Sequence, residues 1–414
     1  MLSVKEAEDI ILNLVQVLDP VRDSEIVSLA NAQGRILAQS VSGKLDFPHW
    51  DNSAMDGYAV SYEDVKDCNA ENPAVLEVVT EIACGDRPTT DIKPGQAARI
   101  FTGAMLPNGA DTIVIQENTE RNGDQVTILA APEQQEFVRH QGAFYQAGEP
   151  ILAAGIKIGA PEIAVLATAQ CTEFAVYRQP RVAILSTGDE LVTPEQSLEP
   201  GQIVDSNQYA LASFVASNNA IPIKLGIVPD QPEDLRQAIV KAMESADIVL
   251  STGGVSVGDY DYVDQILAEL GGNLHIRSVA VKPGKPLTIA TFENNCLYFG
   301  IPGNPVSALV SCWRFVQPAL RKLAGQNKTE YLPRFIKATT LHNLSAAGRR
   351  ETYLWGQLKL VNGKYEFSLA GGSHSSGNLI NLAQTNGLAI IPIGKKLISA
   401  ASEVEVMLID SKIC

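Results

Sequence analysis

Between residues 181 and 328, apolar runs with the period of a strand alternate with runs whose apolar positions repeat every three to four residues. This alternation is typical of βαβ units, in which helices cover both faces of a parallel sheet. Ligands of such sheets bind where the strands end and the helices begin. The pattern therefore predicts a doubly wound α/β ligand-binding domain over residues 179–328. The runs are "RVAILST", "IKLGIV", "DIVLST" and "CLYFGI" for the strands, and "PEDLRQAIVKAMESA", "YDYVDQILAEL" and "PVSALVSCWRFVQPALRKLAG" for the helices.

Two flanking regions have a different pattern. Residues 51–140 consist of short β-rich runs separated by glycine, proline and asparagine, which predicts a small inserted all-β domain. Residues 329–414 are again β-rich, with a hairpin predicted at Asn362 and Gly363, and form a separate C-terminal β domain. The remaining segments, 1–50 and 141–178, are predicted to combine into a framework. In the framework, "EAEDIILNLVQVL" has helical spacing, and "SEIVSLANAQGRILAQSV" suggests helical turns passing into a strand after Gly34.

Composition narrows the classes of partner. A formal net charge of -15 disfavours nucleic acid and anionic membranes, because both require a basic face. The six cysteines form no Cys-x-x-Cys pair, which argues against a disulfide framework or a structural zinc site and favours a reducing cytoplasm. No apolar stretch approaches the length that spans a membrane, so neither a membrane segment nor a signal peptide is expected.

A glycine-rich turn follows the predicted strand "DIVLST". Gly253 and Gly254 allow close backbone approach, and a helix is predicted to begin near Asp259. Free amides and the helix dipole at such a turn suit a phosphate group. An ordinary strand-to-helix turn, capped by Asp259, is the alternative and stays open at this point.

Two further turns of the α/β region carry candidate anion-binding groups. "VKPGKP" holds Lys282 and Lys285 close together around a rigid turn, where both ammonium groups can face one oxyanion. "GIPGNPVSAL" offers a second helix start, which Asn304 or Ser307 can cap. A solvated turn in the first case and simple capping in the second are the competing interpretations.

Carboxylates accompany these turns. "LSTGDEL" places Asp189 and Glu190 directly after a strand, and carboxylates beside phosphate-binding turns commonly hold Mg²⁺. A helix-start acid favoured by the dipole is the alternative. "DSNQ" at 205–208 is an ordinary helix cap unless it shares the same sheet edge. Outside the α/β region, Asp56 in "DNSAMDGYAV" and Thr102 in "RIFTGAMLP" are not diagnostic alone.

Taken together, six motifs in this order resemble the molybdopterin molybdenumtransferase family, whose members are similar to the C-terminal part of gephyrin. The motifs are "DNSAMDGYAV", "RIFTGA", "LSTGDEL", "TGGVSVGDYD", "VKPGKP" and "GIPGNPVSA". The likeness spans nearly the whole chain. It implies an elongated four-part subunit with a C-terminal β-barrel-like domain, which dimerises through its framework domain. It also implies a cytoplasmic reaction that inserts molybdate into adenylylated molybdopterin with release of AMP, assisted by Mg²⁺. An adenylyltransferase would supply the substrate as a transient partner.

The resemblance assigns roles to individual residues. It implies that the pterin-phosphate and nucleotide are bound by Thr102, Asp205, Ser206, Asn207, Gly253, Gly254, Ser256, Gly258 and Pro302. It implies activity-linked roles for Asp56, Glu190, Asp230, Asp261, Lys282 and Lys285, with Mg²⁺ held by Asp56, Glu190 and Asp261. Molybdate is expected to contact Lys282, Lys285, Ser307, Arg350 and Ser376.

One stretch departs from the family pattern. Gly142 is followed by Ala143 and Phe144, where family members usually carry an acid, and the loop "GGSHSSGN" replaces a commoner glutamine-containing form. His374 in that loop is expected to be an exposed loop histidine. Two other functions are kept. Adenylyl transfer to molybdopterin is one, because the related adenylyltransferase shares the α/β unit, although it lacks the flanking domains. A non-catalytic pterin-binding scaffold is the other, suggested by the lost acid near Phe144 and by the structural role of gephyrin.

Overall fold

A computed structural model describes residues 1–254 and 262–409, which form three six-stranded sheets. The central sheet is built from the α/β region. Its strands, in spatial order, are Ile221–Val228, Arg181–Thr187, Ile248–Thr252, Leu297–Ile301, Pro286–Thr291 and Asn273–Ser278. The first four are parallel, as predicted, whereas Pro286–Thr291 runs antiparallel to both of its neighbours, Leu297–Ile301 and Asn273–Ser278. The prediction of an all-parallel sheet is wrong at this edge, because the short link from Thr291 to Leu297 cannot accommodate the crossover that a parallel pair requires.

Helices cover both faces of the central sheet. Val182 and Ile184 point into one core with the helices Asn207–Ser217 and Val4–Leu14, while Ala183 and Leu185 point into the other. The second core is covered by Pro232–Ser245 and Tyr262–Glu269. This alternation is the two-residue period of a strand that is buried on both sides.

The last predicted helix of the α/β region is interrupted. It runs as α-helix over Pro305–Ser311, as π-helix over Cys312–Val316 and as α-helix again over Gln317–Leu323. Pro318 lacks the amide hydrogen that an α-helical bond requires, and the wider π turn lies directly before it. A short helix, Lys328–Tyr331, follows.

The inserted region forms the second sheet. Its strands, in spatial order, are Thr112–Ile115, Gly57–Val60, Gln96–Ile100, Ala74–Ile82, Gln125–Ile128 and Thr119–Asn122. In the framework, Ser24–Ser28 is a strand that pairs with Glu173–Tyr177, which corrects the predicted helical turns; only Leu29–Asn31 forms one 3₁₀ turn. The hydrogen-bonding partner lies about 150 positions away in the chain, and local spacing carries no information about it.

The C-terminal region closes into a β-barrel, as the family resemblance implied. Its strands follow the order Glu351–Val361, Lys364–Leu369, Phe335–Thr340, Glu403–Leu408 and Gly387–Ile391, and the last pairs with the first. The predicted hairpin is confirmed: Asn362 and Gly363 form a two-residue loop with φ of 48° and 76°. A strand from the α/β region, Val281–Lys282, pairs in parallel with the start of Glu351–Val361.

Short elements complete the structure. The remaining helices are Ala160–Thr168, with Pro161 in its first turn, and the 3₁₀ turns Tyr62–Asp64, Gln116–Asn118 and Ile380–Leu382. The remaining strands are Val41–Ser42, Asn52–Ser53, Val138–Arg139, Pro150–Leu152, Leu191–Val192, Ile203–Val204, Leu344–Ser345 and Leu397–Ile398. Within residues 1–254 and 262–409, no helix has the length and apolarity needed to cross a bilayer.

A buried polar network joins the N-terminal helix, the interrupted helix and the barrel. Glu8 and Arg314 form an ion pair and are 6% and 5% exposed. Arg314 Nε also donates to the Tyr353 hydroxyl at 3.0 Å, and that hydroxyl donates to Glu351 at 2.6 Å. Burial raises the pKa of Tyr353, so its phenol remains protonated and able to donate.

Candidate functional site

The carboxyl ends of the parallel strands bring several predicted residues together. Gly253 follows the strand Ile248–Thr252, and a Cβ built on Gly303 would lie 3.6 Å from Gly253 Cα. Asn207 Nδ2 donates to the Gly303 carbonyl at 2.7 Å. The turns that follow two adjacent strands and the start of the helix Asn207–Ser217 therefore meet at one edge, where ligands of such sheets bind.

The turn at Gly253 requires glycine. Its φ is +90°, and a Cβ there would lie 2.4 Å from the carbonyl oxygen of Thr187. Both the positive φ and this backbone approach exclude a side chain. The adjacent Ser256, Gly258, Asp259 and Asp261 fall outside the described residues, so the predicted roles of these four residues stay predictions.

The 205–207 segment is buried at the start of its helix. Asp205 is 4% exposed and accepts a hydrogen bond from the Gln208 amide at 3.2 Å, while Ser206 makes no side-chain capping bond. Asp205 thus acts as a helix cap, and Asn207 is the member of the segment that reaches the neighbouring turn. Pro302, also predicted to bind substrate, is buried in that neighbouring turn.

The five residues expected to contact molybdate line a single cavity of about 450 Å³. They come from three separate segments: the lysine turn, the helix Pro305–Ser311 and the barrel. The five are Lys282, Lys285, Ser307, Arg350 and Ser376. We call this space the oxyanion cavity, because ammonium, guanidinium and hydroxyl donors converge on it without an aspartate or glutamate among the described lining residues.

Close packing positions the lysine turn. Gly284 has φ +101°, and a Cβ on it would lie 2.8 Å from Oγ of Ser311, which is 1% exposed. The helix Pro305–Ser311 thus lies directly against the turn. Arg350 is oriented by a 3.3 Å hydrogen bond from Nη1 to the Val281 carbonyl. The relative positions of the lysines and Arg350 therefore depend on backbone contacts between the α/β region and the barrel.

The start of the helix Pro305–Ser311 differs from the prediction. Asn304 is the N-cap but makes no side-chain capping bond, and Ser307 lies inside the helix. The Val306 amide instead donates to the Ser376 carbonyl at 3.3 Å. One of the helix-start amides is therefore already occupied by the barrel loop, and this contact brings Ser376 to the cavity.

The glycine turn is a neighbour of the oxyanion cavity, not part of its wall. Gly253 and Gly254 do not occur among the described lining residues. Gly303 lies between the glycine turn and the oxyanion cavity. A Cβ on it would lie 3.6 Å from Gly253 Cα, and it precedes the helix that carries Ser307. A ligand that contacts both the Gly253 turn and the oxyanion cavity would have to extend across the Gly303 turn.

Three carboxylates gather where the strands Arg181–Thr187 and Ile221–Val228 end. The Asp230 amide donates to Asp189 Oδ1 at 3.0 Å. Burial, followed by the charges of Asp189 and Glu190, raises the pKa of Asp230. A cation would relieve this repulsion. Over the described parts of the chain, however, no three His, Cys, Asp or Glu side chains are arranged to hold a metal ion.

Asp56 and Thr102 form a separate pair on the inserted sheet. Asp56 Oδ1 accepts hydrogen bonds from the amide and the hydroxyl of Thr102, each at 2.7 Å. These two bonds, the amide first, lower the pKa of Asp56, with a smaller contribution from the charge of Arg99. Asp56 and Glu190, both predicted to hold Mg²⁺, lie in loops beside different sheets: Asp56 directly precedes the strand Gly57–Val60, and Glu190 follows the strand Arg181–Thr187.

Thr102→Val should raise the pKa of Asp56 toward its ordinary value without restoring it fully, because the backbone amide remains. The carboxylate bonds are present at neutral pH and are lost as the pH falls through the depressed pKa of Asp56. Carboxyl NMR titration would measure the change. Thr119→Val, on the same sheet with its hydroxyl bonded to the Gln116 carbonyl at 2.9 Å, is the control. Identical titration of Asp56 in both variants would contradict the assigned cause.

Several residues of the oxyanion cavity carry no motif in the sequence. They are Ser345, Thr352, Tyr353, Trp355, His374 and Ser375, all from the barrel. His374 is half-buried with its ring 4.6 Å from that of Trp355, which corrects the expectation of an exposed loop histidine. The sequence offered one signal for these residues: "TYLW" lacks the polar alternation of a strand with one exposed face, which indicates burial on both faces. Such a strand is typical of a wall between two packed units.

The stretch around Phe144, which departs from the family pattern, forms an aromatic surface. Phe144 is 64% exposed and its ring lies 5.5 Å from that of Phe47, which in turn is 5.8 Å from Tyr145. Acids are nevertheless close by: Asp51 accepts from the Gln141 amide at 2.7 Å. A carboxylate thus contacts the backbone three positions before Phe144.

Comparison with known proteins covers almost the entire chain. Residues 2–169 match the MoeA N-terminal region (domain I and II), 183–322 a probable molybdopterin binding domain, and 337–409 the MoeA C-terminal region (domain IV). A molybdopterin molybdenumtransferase of Nostoc sp. is 59% identical over 409 residues, covering 98% of this chain and 94% of that protein. Its counterpart in Haemophilus influenzae is 35% identical over 79% of both chains.

A solved structure also resembles this chain over nearly its whole length. The molybdopterin biosynthesis MoeA protein of Pyrococcus horikoshii OT3 superposes with a TM-score of 0.84 at 27% identity, covering 99% of this chain and 100% of that one. The same three regions therefore match in order, in sequence and in three dimensions. The chain belongs to the molybdopterin molybdenumtransferase family.

Proposed function

We propose that this protein inserts molybdate into adenylylated molybdopterin and releases AMP. The observation that carries the proposal is the oxyanion cavity, where two lysines, an arginine and two serines from distant segments converge. A tetrahedral dianion requires several donors around one centre, and fixed cations in a cavity are less screened than cations in open water. The neighbouring Gly253 turn is the proposed site for the phosphate groups of the nucleotide.

The proposed mechanism is electrostatic. Lys282, Lys285 and Arg350 neutralise the oxyanion, and Ser307 and Ser376 donate hydrogen bonds that orient it. Water hydrolyses the phosphoanhydride, which releases AMP and leaves the other phosphate on the pterin. The two dithiolene sulfurs bond to molybdenum, and one molybdate oxygen leaves with the two thiol protons as water. Fixed donors that match developing charge account for large rate effects without a nucleophilic side chain.

Mg²⁺ is part of the proposal. The carboxylates of Asp189, Glu190 and Asp230 suit an ion that prefers oxygen ligands, and burial, followed by the charges of the other two, raises the pKa of Asp230. Because these three are not arranged to hold an ion alone, substrate phosphates would complete its coordination. When bound, Mg²⁺ would offset charge on the phosphoanhydride.

The quaternary and cellular setting is proposed from the family resemblance. We propose a homodimer, with Asp56 and Thr102 on the inserted sheet serving the same reaction as the α/β residues. An adenylyltransferase would deliver the substrate in a transient encounter. The cytoplasm is the proposed location, in keeping with the scattered cysteines.

The deciding experiment supplies purified protein with adenylylated molybdopterin, MgCl₂ and sodium molybdate. We expect AMP and molybdenum cofactor to appear together, each dependent on molybdate. Sulfate in place of molybdate is the control for the anion. Absence of both products would exclude the activity, and pyrophosphate release from ATP with molybdopterin would instead indicate adenylyl transfer. Tight pterin binding without turnover, persisting in Phe144→Asp, would indicate a scaffold.

A further inference from the structure

The barrel loop 370–378 forms one wall of the oxyanion cavity. It follows the strand Lys364–Leu369 and carries Ser375 and Ser376, both of which line the cavity. The loop contains Gly371, Gly372 and Gly377, and a Cβ on Gly371 or Gly377 would meet no atom of the described residues within 4 Å. Packing of these glycines therefore does not determine where the loop lies.

Side chains hold the base of the loop. Trp355, 1% exposed, donates from Nε1 to Asn381 Oδ1 at 3.0 Å. Asn381 Nδ2 donates to the carbonyls of Gly371 and Ser373, each at 2.9 Å. These contacts fix the loop only up to Ser373, short of Ser376.

His374 is the next residue, and it connects the loop to the barrel wall. Its ring lies over Trp355 at a centroid distance of 4.6 Å, and Nε2 lies 2.8 Å from the Ala370 carbonyl. Because a carbonyl can only accept, Nε2 is the protonated nitrogen. Nδ1 is buried beside the cavity and has no hydrogen-bonding partner among the described residues. One ring therefore joins the start of the loop, the tryptophan and the cavity wall.

We propose that His374 is a positioning residue for oxyanion binding, which latches the 370–378 loop onto Trp355 and thereby sets the position of Ser376 in the cavity. The inference rests on the proposed use of this cavity for molybdate. One residue, Ser375, separates His374 from Ser376, whose carbonyl also accepts from the Val306 amide. Releasing the ring would leave that 3.3 Å bond as the contact of Ser376 with the helix Pro305–Ser311, beside the turn bonds in which Asn378 donates to the carbonyls of Ser375 and Ser373, each at 3.0 Å.

The closing experiment measures molybdate binding and turnover separately. Isothermal titration of the full chain with sodium molybdate gives Kd, and AMP release gives kcat and the KM for adenylylated molybdopterin. His374→Ala should raise the Kd for molybdate about tenfold, the size expected for losing one hydrogen bond and one ring contact. At saturating molybdate, kcat and the KM for the pterin substrate should stay within about twofold. His374→Gln, whose amide can still donate to Ala370, should recover part of the affinity.

Ser373→Ala is the matched control, because only the backbone of that exposed residue holds the loop. Loop release is read independently of activity from Trp355 emission, in a chain whose other two tryptophans, Trp50 and Trp313, are replaced by phenylalanine. His374→Ala should change that emission; Ser373→Ala should not.

The outcomes separate the latch from the proposed function. Binding of molybdate without AMP release, with weaker binding in His374→Ala, would support the latch and reject the reaction. Unchanged molybdate affinity in His374→Ala would overturn the latch, whether or not the enzyme turns over. Unfolding of that variant would also overturn it, since a latch on an exposed loop contributes little to global stability. A wild-type chain that does not bind molybdate would reject both.

Discussion

Replacing Lys282 and Lys285 together by alanine should lower molybdate-dependent AMP release about 10²- to 10⁴-fold at subsaturating molybdate. Each charge-assisted hydrogen bond to an oxyanion contributes about 1.5–3 kcal/mol, and two are removed. Both lysines line the oxyanion cavity, and both are exposed toward it in the described structure. The loss should appear mainly in the molybdate concentration required for half-maximal rate.

Stability should change little in the same variant. Neither lysine forms an ion pair with a described residue, and substitutions at exposed turns usually fall within about 0.5 kcal/mol. Lys364→Ala, at the exposed barrel hairpin, is the control for removing a lysine elsewhere. A large fall in melting temperature with normal turnover per folded molecule would contradict a binding role for the pair.

Glu8→Ala should reduce the free energy of unfolding by about 3–5 kcal/mol. The change leaves the Arg314 guanidinium buried with Tyr353 as its remaining described hydrogen-bonding partner, and an uncompensated buried charge is strongly destabilising. Thermal or denaturant unfolding followed by circular dichroism would measure it.

A double substitution that removes both charges tests whether the unpaired charge causes the loss of stability. Glu8→Leu combined with Arg314→Met replaces the buried charges by apolar side chains and should restore most of the lost stability. Lys5→Ala is the surface control: Lys5 is 70% exposed, and its bonds to Glu8 and Asp9 contribute less than about 1 kcal/mol. If the double variant were as unstable as Glu8→Ala, lost packing would be the cause, not the unpaired charge.

Local patterns predicted those parts of the fold that depend on neighbours in sequence. The strand Arg181–Thr187, the helix Pro232–Ser245 and the hairpin at Asn362 all follow from periodicity or turn chemistry. Pairings over long distances were not accessible in this way. Ser24–Ser28 became a strand because Glu173–Tyr177 lies beside it, and Leu297–Ile301 received an antiparallel neighbour because its connection is short.

The candidate site was predictable to a similar degree. Glycine and lysine turns after buried strands indicated Gly253, Lys282 and Lys285 as candidates, with an ordinary or solvated turn as the alternative interpretation. The family resemblance, not the local pattern, supplied Arg350 and Ser376. His374 was misjudged because its partner Trp355 lies on another strand, and a loop histidine's surroundings cannot be deduced from the loop alone.

The short strand Val281–Lys282 has a consequence for the architecture as a whole. It belongs to the α/β region by sequence, yet its hydrogen-bonding partner in parallel register is the barrel strand that begins at Glu351. A fragment ending before residue 329 would retain both lysines but lose the backbone that holds them in place. The anion would therefore contact both the α/β region and the barrel. Its affinity would depend on how firmly these two regions are docked.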